Sequence, residues 1–238
     1  MRLFAIGDLH MSGGADKPMD IFGSQWDRHF LHISQNWRET VGEEDTVLIP
    51  GDISWAMQLK DALPDLEAIA ALPGRKILCK GNHEYWWSSI SRIRTLLPAG
   101  MTALQFDATE AGGCVICGTR GWSYPTERNP LDPEDEKIFR RELQRLELAL
   151  DRAEALAEGR PILVMMHFPP KMREDGETPF TRALEARKTV RAVVYGHLHG
   201  AAFAGGFAGE SGGIRYYPVS CDGIGFRPRE IPWPSLEE

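Results

Sequence analysis

The sequence is short of cysteine and contains no long apolar run. Its four cysteines include one Cys-x-x-Cys pair, Cys114 and Cys117, but not the second pair that a zinc ribbon requires. Residues three apart in a strand point to opposite faces, so we interpret these two as separate buried thiols of a protein in a reducing compartment. No stretch reaches the roughly 18 apolar residues of a membrane helix. These absences argue against a structural zinc site and against a membrane protein.

The N-terminus also lacks the pattern of a cleaved signal peptide. A signal peptide needs an apolar core of about 7–15 residues, whereas here only Arg2 precedes a short apolar run that ends at Gly7. Cleavage would also remove Asp8, which has the sequence context of a functional residue. We therefore predict a cytoplasmic protein.

Positive charge is scarce as well. The 238 residues include 27 Lys and Arg against 34 Asp and Glu, and no basic block stands out. Nonspecific binding of nucleic acid through a broad basic face is therefore not expected. An acidic protein can still bind a phosphate ester if metal ions supply the positive charge. The length and composition predict a single domain over residues 1–238 and specify no oligomeric state.

The first hundred residues alternate between short apolar runs and amphipathic segments. Strands are predicted at 2–6, 46–49 and 76–79. Helices are predicted at 24–41, 58–72 and 85–97. This order predicts parallel strands joined by crossover helices.

The later part of the chain is predicted to be richer in strands. Runs at 103–106 and 114–118 flank a Gly-Gly pair and predict a β-hairpin. A long amphipathic helix follows Asp132; we expect it to pack on its own sheet, and the alternative is that the 120–160 segment forms a lid or a dimer arm. Further strands are predicted at 161–167, 192–195 and 214–219, with a short helix near 181–188. The Pro-rich tail, 226–238, is predicted to be an extended strap.

Polar side chains follow five of the predicted strands. The histidines in such positions are His10, His83, His167, His197 and His199. Asp8, Asp52 and Asn82 occupy the same kind of position, and the carboxyl ends of parallel strands meet at one edge of a sheet. Residues two apart in an extended chain point the same way, so Asp8 with His10, and His197 with His199, are each expected to converge on one point. Imidazole and carboxylate without thiolate favour Zn, Fe or Mn.

Each motif has an ordinary explanation when taken alone. Asp-x-His after a strand is commonly a turn, and Gly51–Asp52 alone is a turn or a helix cap. Five such strand ends in one chain indicate a site. By contrast, His29 and His32 lie beside the apolar stripe of the first predicted helix, and we predict that both are surface histidines.

Together the motifs resemble those of the calcineurin-like metallophosphoesterase superfamily. They are Gly7–Asp8–Leu9–His10, Gly51–Asp52, Gly81–Asn82–His83–Glu84, His167 after an apolar strand, and Gly196–His197–Leu198–His199. The resemblance implies an α/β fold of two facing mixed β-sheets flanked by helices, an αββα sandwich with a metal site at the strand ends. Segments 51–56, 81–87 and 118–122 further resemble a bacterial branch of predicted phosphohydrolases.

The resemblance also implies a role for each motif residue. Asp8, His10 and His199 would bind one metal ion, and Asn82, His167 and His197 would bind a second. Asp52 would bridge the two ions, which would be Mn, Fe or Zn. The implied enzyme is a phosphoesterase that hydrolyses a small phosphomonoester or phosphodiester through a hydroxide held between the ions, with His83 as general acid.

Two departures from the protein phosphatase pattern and two alternative functions bear on this interpretation. Protein phosphatases of the superfamily carry an Arg shortly after Gly-Asp and another before Gly-Asn-His-Glu, whereas here Ile53–Met57 follows Asp52 and Lys80 precedes Gly81. A Ser/Thr protein phosphatase is therefore the less favoured enzyme. A non-catalytic metal-binding scaffold is the other alternative, which the presence of all seven proposed ligands and His83 disfavours.

Four residues near the strand ends are candidates for contact with substrate. Trp55 and Tyr85 are candidates for stacking on a base or sugar, although core packing is the ordinary role of aromatic residues. Arg120 and Lys171 are candidates for neutralising a phosphate, although solvation is the ordinary role of such cations.

Overall fold

The computed structural model describes residues 1–13, 17, 19–127 and 130–234. The first sheet contains β1 (Leu3–Ala5), β2 (Thr46–Pro50), β3 (Arg75–Cys79), β4 (Met101–Leu104) and β11 (Arg229–Ile231). The strand order is β11-β1-β2-β3-β4. Strands β1 to β4 are parallel, and β11 pairs antiparallel with β1 at the edge.

The second sheet has six strands. They are β5 (Asp107–Ala111), β6 (Cys114–Thr119), β7 (Ile162–Met166), β8 (Val190–Tyr195), β9 (Gly209–Ser211) and β10 (Ile214–Pro218). The order is β5-β6-β7-β8-β10-β9, with parallel pairing among the four central strands and antiparallel pairing at both edges. Both sheets are therefore mixed.

Three apolar layers hold the sheets and helices together. The helices are α1 (His29–Thr40), α2 (Leu59–Ala70), α3 (Ile90–Leu96), α4 (Pro133–Ala157) and α5 (Pro179–Glu185). Leu48 and Ile77 of the first sheet share the central layer with Leu163 of the second. The outer faces pack on helices, the first sheet on α1 and α2 and the second on α4 and α5. This arrangement confirms the predicted αββα sandwich.

The long helix α4 is capped at its first turn and is held against the sheet by a face of leucine and alanine residues. The Asp132 side chain accepts hydrogen bonds from the backbone N–H groups of Glu134 at 2.8 Å and Asp135 at 2.9 Å, which caps the helix before Pro133. Its buried face includes Leu146, Ala149, Leu150, Ala153 and Ala157. The helix thus packs on its own sheet. A lid within 120–160 remains a prediction, and residues 128 and 129 of that segment lie outside the described part of the chain.

The predicted hairpin is wrong in its first strand. Residues 101–104 form β4, which continues the first sheet, and the hairpin joins β5 to β6. The chain changes sheets at Phe106, whose φ of +47° reverses its direction, and alternation of apolar residues does not reveal which sheet a strand joins. Gly112 and Gly113 form the turn with φ of 56° and 82°, as two-residue hairpin turns require.

Two helix starts also differ from the prediction. The α-helix predicted from residue 24 begins at His29, after a 3-10 turn over Ser24–Trp26 and a left-handed Arg28 with φ of 46°. The helix predicted from residue 85 begins at Ile90. Trp86 and Trp87 come before it because both are buried in the core under the first sheet.

The cysteines agree with the sequence prediction, whereas the tail differs from it in part. All four cysteines are buried and free, with Cys114 in the central layer and Cys117 in the layer under α4. Part of the Pro-rich tail forms strand β11. Neither β11 nor β9 was predicted from the sequence. Residues 235–238 of the tail lie outside the described part of the chain. Over the described residues, no helix has both the length and the apolar character that a bilayer crossing needs.

Candidate metal centre

The predicted ligands meet where the carboxyl ends of the two sheets lie side by side. Backbone hydrogen bonds join the loops that carry them: the Asp8 N–H donates to the Gly51 carbonyl at 3.0 Å, and the His10 N–H donates to the Asp52 carbonyl at 2.9 Å. The loops at the strand ends of the second sheet are joined in the same way, because the Gly196 N–H donates to the His167 carbonyl at 3.1 Å. The loops form a connected rim that holds the side chains in place.

Backbone strain is concentrated in this rim. Asp8, His10, Asp52 and His197 have φ values of 59°, 44°, 51° and 73°. The left-handed region is unfavourable for residues with a side chain, although Asp and His tolerate it better than most. Strain of this kind persists where surrounding structure enforces it and is common at functional sites. Four of the seven proposed ligands are therefore aimed by an unusual backbone conformation.

Glycine residues next to the ligands leave room for carboxylates from neighbouring strands. A Cβ atom on Gly81 would collide with Oδ1 of Asp52, and a Cβ on Gly196 would collide with Oδ2 of Asp8. In both places a carboxylate rests against bare backbone. The glycines of the predicted motifs thus serve a steric purpose at this site.

One group of ligand atoms forms around Asp8, His10 and His199. One atom from each lies within 4.8 Å of the others. The Nε2 atoms of His10 and His199 are 3.2 Å apart, and Nε2 of His199 is 3.6 Å from Oδ1 of Asp8. The Asp8 carboxylate also accepts the His197 backbone N–H at 3.0 Å. These are the three residues predicted to bind one ion.

A second group forms around His167. Its Nε2 lies 2.7 Å from Oδ1 of Asn82 and 3.3 Å from Nδ1 of His197. The same Asn82 oxygen is 3.1 Å from Nδ1 of His197. These are the three residues predicted to bind the second ion.

The protonation of His167 shows that this group suits a cation. Its Nδ1 lies 3.0 Å from the Pro50 carbonyl, which can only accept, so Nδ1 carries the proton and Nε2 presents a lone pair. Burial lowers the pKa of His167, which favours the neutral ring. The Nε2 lone pair therefore faces the side-chain amide of Asn82. A metal ion among these atoms would satisfy all of them.

Asp52 lies between the two groups. Its Oδ2 is 3.4 Å from Nε2 of His167 and 3.8 Å from Nε2 of His10. Burial and the nearby Asp8 charge raise the pKa of Asp52 to about 8. Burial alone would also raise the pKa of Asp8, but hydrogen bonding to His199 and the neighbouring imidazoles lower it instead. One carboxylate oxygen of Asp8 and one of Asp52 lie within 4.8 Å of each other, and a pair of cations would supply the positive charge that favours ionising both.

His83 lies at the open edge of the centre and is not enclosed by it. Its side chain is 34% exposed, and its Nε2 is 3.9 Å from Oδ2 of Asp52. The backbone N–H of His83 donates to Oδ1 of Asp52 at 2.9 Å, and its ring packs on Trp55 with centroids 4.4 Å apart. Burial and the nearby His167 lower the pKa of His83. The ring lines the cavity in front of the proposed ligands, and its predicted role toward substrate stays a prediction.

A cavity of about 390 Å³ opens in front of these ligands. Trp55 lines it and stacks on the His10 ring at 4.9 Å, and its contact with substrate stays a prediction. Trp26 and Phe22 also line it and were not predicted to do so; Trp26 falls within the helix predicted at 24–41. Tyr85 is 58% exposed at the edge, with its ring 6.4 Å from that of His83.

Arg120 and Lys171 do not line this cavity. Arg120 pairs with Glu142 at 3.1 Å, and the Lys171 ammonium lies 4.5 Å from the ring centre of Phe207. The prediction that His29 is a surface residue is wrong. His29 is buried because its Nε2 binds the Leu9 carbonyl at 2.8 Å, beneath the loop that carries Asp8 and His10.

Glu84 joins two ligand loops in a way that the sequence did not reveal. Its buried carboxylate accepts the backbone N–H groups of Gly81 at 2.6 Å, Asp52 at 3.0 Å and Ile53 at 2.5 Å. Burial and the Asp52 charge raise the pKa of Glu84 to about 7. Glu84 is therefore a positioning residue for Asp52 and Asn82.

Asp222 is a second residue that sequence reasoning missed. Its Oδ1 lies 2.9 Å from Nδ1 of His199, and its Oδ2 accepts the Gly200 N–H at 2.9 Å. Burial lowers the pKa of His199, but the hydrogen bonds to Asp222 and Asp8 outweigh it and raise the pKa to about 10. Asp222 follows β10, so the rule that found the other strand ends would also have found it.

We expect Asp222→Asn to weaken metal binding at the His199 group by about 10- to 100-fold, because outer partners orient ligating imidazoles and raise their basicity. Competition with a chromogenic chelator measures the affinity. Asp151→Asn, an exposed position on α4, is the control and should leave affinity unchanged. Equal affinity in the two variants would show that Asp222 does not support His199.

Comparison with known proteins places the chain in a family. A family model described as calcineurin-like phosphoesterase matches residues 1–201. The curated Gene 66 protein of Mycobacterium phage D29 is 45% identical over 56 residues, which is 24% of this chain and 28% of that protein. The matched segment thus spans little more than a quarter of that relative.

Two solved structures share the fold at low identity. The phosphopantetheinyl hydrolase of Mycobacterium tuberculosis is 16% identical with a TM-score of 0.57, covering 97% of this chain and 95% of that one. A protein of unknown function from Aquifex aeolicus is 18% identical with a TM-score of 0.50, covering 96% and 95%. The family match spans every ligand motif from Gly7 to His199, and the chain belongs to the calcineurin-like phosphoesterase family.

Proposed function

We propose that this protein is a binuclear metal-dependent phosphoesterase that hydrolyses a small phosphomonoester or phosphodiester. The observation that carries the proposal is the convergence of the candidate ligand atoms on both sides of Asp52, whose Oδ2 lies 3.4 Å from His167 and 3.8 Å from His10. Imidazole, carboxylate and amide groups gathered at this spacing suit two cations.

The proposed ligands divide into the two groups described above, one around His199 and one around His167. Asp8, His10 and His199 would hold one ion, and Asn82, His167 and His197 would hold the other. The Asp52 carboxylate would contact both. The donor set of imidazole, carboxylate and amide oxygen is compatible with Mn, Fe or Zn.

Two divalent ions, when bound here, would activate water and neutralise the phosphoryl oxygens. The chain supplies the remaining functions. His83 would donate the proton from Nε2 to the leaving oxygen, since this nitrogen is near Asp52 and its side chain is open to the cavity. Glu84 would keep the loops of Asp52 and Asn82 fixed during the reaction, which avoids reorganisation at the site.

The cavity supports an organic phosphate ester as the substrate. Its volume of about 390 Å³ exceeds that of a phosphate group, and Trp26 and Trp55 provide an aromatic wall. A hydrolase of phosphopantetheinyl groups shares the fold, so a phosphodiester deserves testing beside a phosphomonoester.

Metal removal tests the proposal. We expect close to two metal ions per purified chain, and turnover of mono- or bis-p-nitrophenyl phosphate that falls at least about 10²-fold with EDTA and returns with Mn²⁺. The ester hydrolysed faster would distinguish a monoesterase from a diesterase. His32→Ala, an exposed histidine on α1, is the control and should retain metal and turnover. A protein without metal that Mn²⁺ does not activate would overturn the proposal.

A further inference from the structure

A second cavity lies beside the metal centre and shares none of its lining residues. Its volume is about 350 Å³. Four cations line it, Lys80, Arg120, Arg141 and Arg145, together with a single carboxylate, Glu142. We call it the basic pocket. Such a concentration of positive charge is unexpected in a chain whose net charge is −7.

The one carboxylate of the basic pocket is fully engaged. Glu142 is 1% exposed, pairs with Arg120 at 3.1 Å and Arg145 at 2.6 Å, and accepts the Thr119 hydroxyl at 3.1 Å. Within the described part of the chain, the side chains of Lys80 and Arg141 form neither a hydrogen bond nor an ion pair. The lining therefore holds more positive charge than its own acid can balance.

This arrangement is unfavourable for the protein alone. Four cations lie together in the pocket, and only Arg120 and Arg145 pair with Glu142. Moreover, Nε of Arg120 is buried and has no hydrogen-bond partner among the described residues. An anion in the pocket would offset the like charges beside that donor.

The guanidinium groups are held in place by packing. Arg120 lies over the Trp122 ring at 4.5 Å, and Arg145 lies over the Phe106 ring at 5.3 Å. Planar guanidinium groups that are already oriented bind phosphate oxygens in pairs and lose little entropy in doing so. The pocket has both the charge and the geometry for an oxyanion of this class.

We infer that the basic pocket binds a phosphate-class oxyanion other than the phosphoryl group that would react at the metal centre. The pocket adjoins that centre through the backbone. Lys80 is two residues before Asn82, and the Arg120 carbonyl accepts the N–H of His167 at 3.0 Å. The anion is either a second phosphate on the substrate or a separate effector, and both sources have the same chemistry.

Binding of inorganic pyrophosphate to the EDTA-treated full chain tests the site without the metal centre. We expect calorimetry at low salt to show one site that Lys80→Gln or Arg141→Gln weakens by about tenfold or more, since each removes a charge-assisted hydrogen bond. Arg140→Gln is the matched control, because it makes the same change one residue away on α4, outside the pocket, and should stay within about twofold. Melting curves verify that each variant is folded.

Two results would overturn the inference. One is no binding by the wild-type chain at millimolar pyrophosphate, and the other is undiminished binding by a Lys80→Gln, Arg141→Gln double variant, which would move the anion to the histidines. Both are independent of whether the protein hydrolyses esters. Failure of the proposed function would therefore leave this test intact.

Hydrolysis by the Mn²⁺-loaded protein distinguishes the two sources, and this comparison alone rests on the proposed function. If the anion belongs to the substrate, Arg141→Gln should raise KM for a nucleoside bisphosphate and leave KM for the matching monophosphate unchanged. If the anion is an effector, both KM values should stay unchanged while pyrophosphate binding is weakened.

Discussion

Asp52→Asn is expected to release both metal ions and to lower turnover by at least about 10³-fold, which corresponds to about 4 kcal/mol of lost transition-state stabilisation. Oδ2 of Asp52 is the atom that lies near both His10 and His167, at 3.8 and 3.4 Å. The amide keeps the shape of the side chain, and its Oδ1 can still accept the His83 N–H. The loss is therefore expected from charge rather than from unfolding.

Metal content after dialysis, measured alongside turnover and the melting temperature, checks this result. His199→Gln is the informative comparison, because His199 belongs to one ligand group only and its loss should release one ion. The metal-free Asp52→Asn chain should melt no lower than the metal-free wild type, since one of two repelling buried carboxylates is gone. Retention of two ions by Asp52→Asn would refute the bridging role.

His83→Gln is expected to lower turnover by about 10²- to 10⁴-fold while leaving metal content unchanged. The side chain of His83 is partly exposed, and its contact with Asp52 is made by the backbone N–H, which the substitution keeps. The loss should depend on the leaving group. A p-nitrophenolate needs little protonation, so its ester should lose less turnover than an alkyl ester of the same phosphate.

The leaving-group dependence separates proton donation from a packing effect. Loss of the ring packed on Trp55 would slow all esters alike, whereas loss of an acid slows most those with basic leaving groups. His32→Gln, on the exposed side of α1, supplies the control for a histidine substitution. A uniform loss, or a fall in metal content, would exclude His83 as the general acid.

The convergence of the proposed ligands could be predicted from sequence because its signal is local. Each proposed ligand lies shortly after a strand, and the parallel start of the first sheet brings such positions together. Asp222 obeys the same rule after β10 and was overlooked. The roles of Glu84 and Trp26 could not be predicted, because they depend on which loops face each other across the centre.

The arrangement of the sheets could not be derived from alternation of apolar residues. A strand such as β4 has the same pattern whether it continues the first sheet or begins the second, and the reversal at Phe106 has no clear sequence signal. The prediction that His29 is exposed was wrong for a related reason, because its burial depends on the Leu9 carbonyl from another loop. The two-sheet packing came from family resemblance alone.

The glycines at 81 and 196 have a consequence for tracing activity among related proteins. Because a carboxylate occupies the space that any side chain would need, alanine at either position would displace Asp52 or Asp8 without removing a single ligand. Inventories of retained ligands would then count an inactive protein as an enzyme. For this architecture, glycine at these two positions should therefore be checked alongside the seven proposed ligands.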